Sequence, residues 1–281
     1  MSGEQGDTPR RIAREADPDR SIAASFAPRE ARADLFALYA FNAELARVAE
    51  LVSEPGLGAI RLQWWREAIE RATNGEASGH PVADAIGNLI RRRDLSRERI
   101  AGLIDARSFD VETKIMPDGA ALEAYLDATA AALFALAAET MGLKDASAKD
   151  ASVEQAARAA GTAYGLTGLM RALPVHASRG LVFLPADELR RHGTSPEQVL
   201  AGKTSDGLGE LLAELSATAR EALREAEALI DGIEAPARAA FVPLSLVDPY
   251  LAALEKNGRD PLHEIADINP LYRLWRMARW R

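Results

Sequence analysis

Apolar residues recur along most of this chain at the spacing of buried helix faces. Leu35, Leu38, Tyr39, Phe41, Leu45 and Val48 mark a helix that opens after Pro28 and runs to about Glu50. Pro55-Gly56 then breaks the pattern. A second helix, about Leu57 to Thr73, carries Leu62, Trp64, Trp65 and Ile69, with one tryptophan ring expected in the core and the other at its edge. Asn74-Gly75 and Ser78-Gly79 form a turn, Pro81 opens a third helix ending in Arg91-Arg92-Arg93, and Ser96 is placed as an N-cap. Pro117-Asp118-Gly119 precedes an alanine-rich helix, about Ala121 to Met141. Another runs from about Ala151 to Ala172 and is ended by Pro174. Its small residues Ala157, Ala160, Gly161, Gly165 and Gly168 predict close approach of a neighbour. Pro185 and Ser195-Pro196 start short helices, residues 206–232 are strongly helical, and helices are expected about Leu244 to Lys256 and after Pro270. The best strand run, Leu181-Val182-Phe183-Leu184, is too short to decide. The pattern predicts an all-α protein, with a polar, mobile arm over residues 1–18 and a single helical domain over 19–281.

Composition narrows the function classes. At 281 residues, 48% of them apolar, the chain can bury a large core. A net charge of −8 argues against general nucleic-acid binding. The absence of cysteine excludes disulfides and thiol chemistry. The first residues are polar and lack a signal-peptide core, and no uninterrupted apolar run approaches the roughly 20 residues of a membrane helix. A cytoplasmic location is the expectation.

Two segments carry candidate chemistry. Arg179–Pro185, RGLVFLP, is similar to the RGRVYLP segment of squalene and phytoene synthases. Asp34–Glu50 resembles the first aspartate-rich helix of the same family, A-L-Y-A-F-C-R-x-x-D-D-x-x-D, which Ala37-Leu38-Tyr39-Ala40-Phe41 follows. The resemblance runs from about Asp19 to Leu189 and implies an isoprenoid-synthase-like (trans-prenyltransferase) helical bundle. In that family, aspartates spaced i, i+4 on two facing helices hold Mg²⁺ ions that clamp the leaving diphosphate. Here the arginine position holds Ala43, and the aspartate positions hold Ala46, Arg47 and Glu50. The second motif, N-x-x-R-D-x-x-x-D, reads Gly168, Arg171, Ala172 and His176, and Phe183 replaces the family's tyrosine. Among five carboxylate positions Glu50 alone keeps a carboxylate. Arg47 puts a cation where a metal would sit, and His176 is a poor substitute for hard oxygen coordination. Losing several kcal/mol of charge stabilisation, at about 1.4 kcal/mol per decade, removes most turnover. No residue is therefore assigned as catalytic or as a metal ligand, and no cofactor is expected. Arg47 either binds an anion or pairs with Glu44, Glu50 or Glu54, and His176 either faces the former pocket or is a hydrogen-bonded loop histidine. Ser21, Tyr39, Glu44, Arg61 and Arg179 are candidate polar residues of a retained lipid or isoprenoid cavity.

A closer likeness lies in one branch of the family, the assembly factor of mitochondrial respiratory complex I. That branch has A-F-N-x-E-L-A-x-V, R-x-Q-(F/W)-W and R-A-x-P-x-H-x-S-R-x-x-V-F-L-P. Here these are Ala40 to Val48, then Arg61, Gln63, Trp64 and Trp65, then Arg171 to Pro185. It implies a non-catalytic bacterial relative acting in biogenesis of NADH:quinone oxidoreductase, with complex I subunits or assembly intermediates as partners. Two alternatives stay open: a Mg²⁺-dependent enzyme joining prenyl diphosphates head to head, and a non-catalytic partner of such an enzyme. The C-terminus interleaves Leu271, Tyr272, Leu274, Trp275, Met277 and Trp280 with Arg273, Arg276 and Arg279. As a helix it suits either peripheral contact with an anionic inner membrane or closure of the bundle with its arginines outside.

Overall fold

The structure, a computed structural model, describes residues 2–52, 54–142, 148–256 and 258–280. In chain order its helices are α1 (Ser2–Ala16), α2 (Pro18–Ala24), α3 (Arg32–Ala46), α4 (Pro55–Thr73), α5 (Pro81–Arg93), α6 (Arg97–Ala106) and α7 (Ser108–Glu112). Then come α8 (Gly119–Leu126), α9 (Ala132–Thr140), α10 (Ala148–Arg171), α11 (Leu173–Ser178), α12 (Ala186–Arg191) and α13 (Pro196–Leu200). The last are α14 (Asp206–Ile230), α15 (Ala235–Arg238), α16 (Val247–Leu254) and α17 (Pro270–Arg279). Among the described residues there is no strand. The Leu181–Leu184 run contributes a single parallel bridge, Ile115 to Val182, with Val182 N bonded to the Lys114 carbonyl and Met116 N to the Val182 carbonyl, both at 2.8 Å.

Two expectations change. The arm expected over residues 1–18 is helical: α1 packs on α3, Ala13 is fully buried and the Arg10 guanidinium lies over the Phe36 ring. The sequence of α1 is polar enough to hide this, because a few small residues make the contact. The single domain expected over 19–281 divides into two compact units that interleave along the chain. The first comprises residues 1–112, 132–154 and 232–243, and the second 113–131, 155–231 and 244–281.

The first unit is built around α3. Leu35, Leu38, Phe41 and Leu45 are fully buried, and each such side chain contributes about 1.5–3 kcal/mol of transfer free energy. Trp65 of α4 meets Phe41 edge to face at 5.6 Å, while Trp64 stands at the edge, 36% exposed. The two tryptophans thus split between core and edge. Gly87 of α5 is required by close approach: a Cβ there would lie 2.7 Å from the Ala72 carbonyl carbon. Asp34 at the start of α3 holds Arg92 and Arg93 at 2.7 and 3.1 Å, so the arginine run is tied to the core helix.

In the second unit Gly161 and Gly165 of α10 do what their pattern predicts, whereas Gly168 faces open space. A Cβ on Gly161 would lie 2.5 Å from Ala131 and one on Gly165 2.5 Å from Leu126. Asp127–Ala131 is a π turn following α8, so α10 approaches closely where the helix is locally widened. The core joins Leu173, Val182, Leu184, Leu189, Val199, Leu208, Leu211 and Leu262. Two stretches, Gly119–Thr140 and Ala235–Leu254, are long and apolar enough to cross a membrane, but 67% of the apolar 18-residue window in each is buried inside the protein, as in core helices.

Candidate functional site

The first unit presents the positions of the first metal helix. Tyr39 and Ala43 are buried in α3, whereas Arg47 and Glu50 sit exposed on the 3-10 turn Arg47–Glu50 that follows it. Arg47 ion-pairs with Glu44 at 3.2 Å. Burial pushes the Tyr39 phenol well above its ordinary range, opposed by the nearby Arg20 guanidinium. Arg20 is itself buried and held by Asp17 at 2.8 Å, and the Asp17 carboxylate also caps α2 by accepting from the Arg20 backbone N–H. Ser21 is buried on α2, and Arg61 is exposed on α4. Alanine has no oxygen to offer, and Arg47 brings a positive charge already paired with Glu44. These positions therefore do not fit a magnesium pair.

A buried polar set also lies in this unit. Arg107 donates to the Asn42 Oδ1 at 3.1 Å and pairs with Asp110 at 3.2 Å, with side-chain exposures of 11% for Arg107 and 8% for Asp110. Sequence reasoning missed Arg107. Its i, i+3 spacing to Asp110 was the available signal.

The second unit presents the positions of the other motif. Arg171 ends α10, and its guanidinium stacks on the Tyr250 ring, 3.3 Å from the centroid. Its Nε donates to the Ala266 carbonyl at 3.1 Å, and its side chain lies 3.6 Å from the Asp267 carboxylate. The surviving arginine of the second motif is thus engaged by the segment leading into α17. Ala172 lies between α10 and α11, and a Cβ on Gly168 would meet nothing within 4 Å. His176 packs on Phe183 with centroids 4.7 Å apart, Phe183 packs on Tyr125 at 5.2 Å, and Arg179 is exposed. The structure brings His176 and Phe183 together as a ring pair, with no carboxylate at any of these positions.

Glu188, His192 and Glu214 bring ligand atoms within 4.8 Å of one another. Arg191 bridges the two carboxylates, 2.8 Å from Glu214, so a guanidinium already supplies the positive charge. A groove of about 420 Å³ opens beside them, walled by Leu122, Leu126, Leu166, Leu211 and Leu215.

The C-terminal helix does not hold all its arginines outside, because Arg273 turns inward. Asn269 caps it, its Oδ1 accepting from Leu271 N at 2.8 Å, and Pro270 takes the first turn. Arg273 and Met277 face inward: Arg273 is 8% exposed, bonded to Asp267 at 2.8 Å and near the Tyr250 ring. Leu271, Tyr272, Leu274 and Trp275 face outward, with Leu271 77% exposed. Arg276 is half-buried, its Nε on the Ser245 carbonyl at 3.1 Å, while Arg279 lies over the Trp275 ring and Trp280 is partly covered.

The family profile described as squalene/phytoene synthase matches residues 13–280. The chain is 30% identical over 252 residues, 90% of its length and 74% of the relative's, to the NADH dehydrogenase (ubiquinone) complex I assembly factor 6 of Rattus norvegicus. It is also 30% identical over 178 residues to the presqualene diphosphate synthase of Rhodopseudomonas palustris, covering 62% of this chain and 61% of that one. Among solved structures, a ligand-bound dehydrosqualene synthase superposes with a TM-score of 0.80 at 16% identity, covering 98% of this chain and 95% of the other, which shows the shared fold.

Proposed function

Because the chain belongs to the squalene/phytoene synthase family, we propose that it is a non-catalytic member acting in the assembly of respiratory complex I, on complex I subunits or assembly intermediates. The observation that carries this reading is one of extent. At equal identity, the likeness to the assembly factor spans 90% of the chain and the likeness to the synthase 62%. The residue types at the metal positions agree with it, since one carboxylate remains where the chemistry needs several. We place the protein in the cytoplasm, peripheral on the inner membrane through α17, with no cofactor. The leucine-walled groove of the second unit is our assignment for a lipid or isoprenoid, although none of Ser21, Tyr39, Glu44, Arg61 and Arg179, the polar residues expected of a retained cavity, lines it.

The test is NADH:quinone oxidoreductase activity in membranes of a strain lacking the gene, with and without its restoration. A specific, rescued loss of activity and of assembled complex is the expected result. Intact complex I with altered isoprenoid lipids would overturn the proposal. The competing reading, a head-to-head prenyltransferase, draws on the likeness to presqualene diphosphate synthase and predicts Mg²⁺-dependent pyrophosphate release from farnesyl diphosphate.

A further inference from the structure

Beside α17 in the second unit lies a pocket of about 470 Å³, within the size range of small-ligand sites. Its wall holds charges of both signs: Arg276 and Arg279 from α17, and Glu227 and Asp231 from the end of α14. Arg276 is fixed by its bond to the Ser245 carbonyl. Ser245 also lines the pocket, 3% exposed, and its buried hydroxyl has no hydrogen-bond partner among the described residues. That hydroxyl is closed off from the pocket, so the charged side chains of the wall, and not Ser245, define what the pocket can hold. Among the described residues, neither Glu227 nor Arg279 closes an ion pair. The Glu227 carboxyl is pushed above its ordinary value, first by burial and then by Asp248, although Arg276 opposes the shift. A cation brought to this carboxylate would relieve that cost.

We propose that this pocket binds a zwitterionic phosphoethanolamine group, its phosphate on Arg276 and Arg279 and its primary ammonium on Glu227 and Asp231, presented by a phosphatidylethanolamine membrane. The assignment rests on the peripheral membrane placement proposed above and gives it a specific lipid. A purely anionic headgroup would leave the two carboxylates facing its charge. A choline group has no N–H to donate to them. The membrane source follows from the surface around the pocket. Trp275 and Trp280 form part of its rim, and Leu271, Tyr272 and Leu274 project outward from the same helix as an aromatic and aliphatic face suited to the headgroup boundary.

Co-sedimentation of the full chain with vesicles tests this. Vesicles of phosphatidylcholine are compared with mixtures containing phosphatidylethanolamine or phosphatidylglycerol, and soluble glycerophosphoethanolamine is titrated by calorimetry. The expected result is at least threefold stronger binding to the phosphatidylethanolamine vesicles, and measurable heat with the soluble headgroup. The variant Glu227→Gln/Asp231→Asn should lose the preference while keeping the general affinity. The variant Leu271→Ser/Leu274→Ser should lose vesicle affinity and keep the soluble headgroup. Equal binding to all vesicles, with no response to Glu227→Gln/Asp231→Asn, would overturn the pocket and leave membrane contact standing. If wild-type protein ignored every vesicle yet bound glycerophosphoethanolamine, the membrane source would fall and the pocket would stand as a site for the soluble group. Binding to neither would overturn both.

Discussion

Helices α14 and α17 both have strongly amphipathic sequences, and they use them in opposite senses. Along α14, Leu208, Leu211, Ala219, Leu223, Ala226 and Ile230 turn inward, and charged residues such as Glu210, Glu221 and Arg224 turn outward. Along α17 the inward face is Arg273 and Met277, and the outward face is Leu271, Tyr272, Leu274 and Trp275. The inversion is stable because Arg273 arrives with its partners, a carboxylate at 2.8 Å and an aromatic ring, so its charge is not stranded when it leaves water. Periodicity announces that a helix has two faces. Which face is covered depends on what the neighbouring elements offer, here Asp267 and Tyr250.

The largest effect should separate these faces most cleanly. Leu211→Ala in α14 removes a buried side chain of the second unit's core and should cost about 2–5 kcal/mol. Leu274→Ala in α17 removes an exposed one and should stay within about 0.5 kcal/mol. Urea unfolding of both variants measures the difference. An equal loss at Leu274 would mean that the outward face of α17 is covered in solution, and the contrast would collapse. A second effect, intermediate in size, tests the inward arginine. Arg273→Ala removes the bond to Asp267 and the packing on Tyr250 and should cost about 1–3 kcal/mol. Arg279→Ala, on the exposed side, should be close to neutral. If Arg273→Ala were neutral too, the inward arginine would not be what holds the helix, leaving Met277 and the Arg276 bond to Ser245 to do so.

Much of the fold was legible because it rests on local signals. The α3 stripe, the proline and glycine breaks, the Ser96 cap and the close approach at Gly161 and Gly165 of α10 each specify their own structure, and each is found in place. α1 was not legible, since its contacts use small residues within a polar sequence. Nor was the division into two units, because each is assembled from segments distant in the chain. At the candidate site, the missing carboxylates could be read residue by residue. The partners that occupy Arg171 could not: Tyr250, Ala266 and Asp267 lie about 80 to 95 residues further on, and nothing in the local pattern links them to the end of α10. The same holds for Arg273 facing inward.

The smallest effect lies at the tie between the two helices compared. Thr204 immediately precedes the Ser205 cap of α14, and Asp260 sits in the loop leading toward α17. The Thr204 hydroxyl donates to the Asp260 carboxylate at 2.7 Å, Leu262 N donates at 3.0 Å, and the His263 ring lies 2.8 Å away. These bonds, Thr204 foremost, hold the Asp260 carboxyl at about 2, below its ordinary 3.8. A carboxylate depressed in the folded state adds stability that is fully present above its unfolded value and is lost as pH falls through its folded value. Thr204→Val should therefore raise the Asp260 value toward the ordinary range, as read by NMR titration. The advantage of wild type over the variant should be constant above about pH 4 and shrink as pH falls toward 2. A difference that stayed unchanged across that window would show that the threonine acts through packing, and that the lead-in to α17 is positioned without the Asp260 charge.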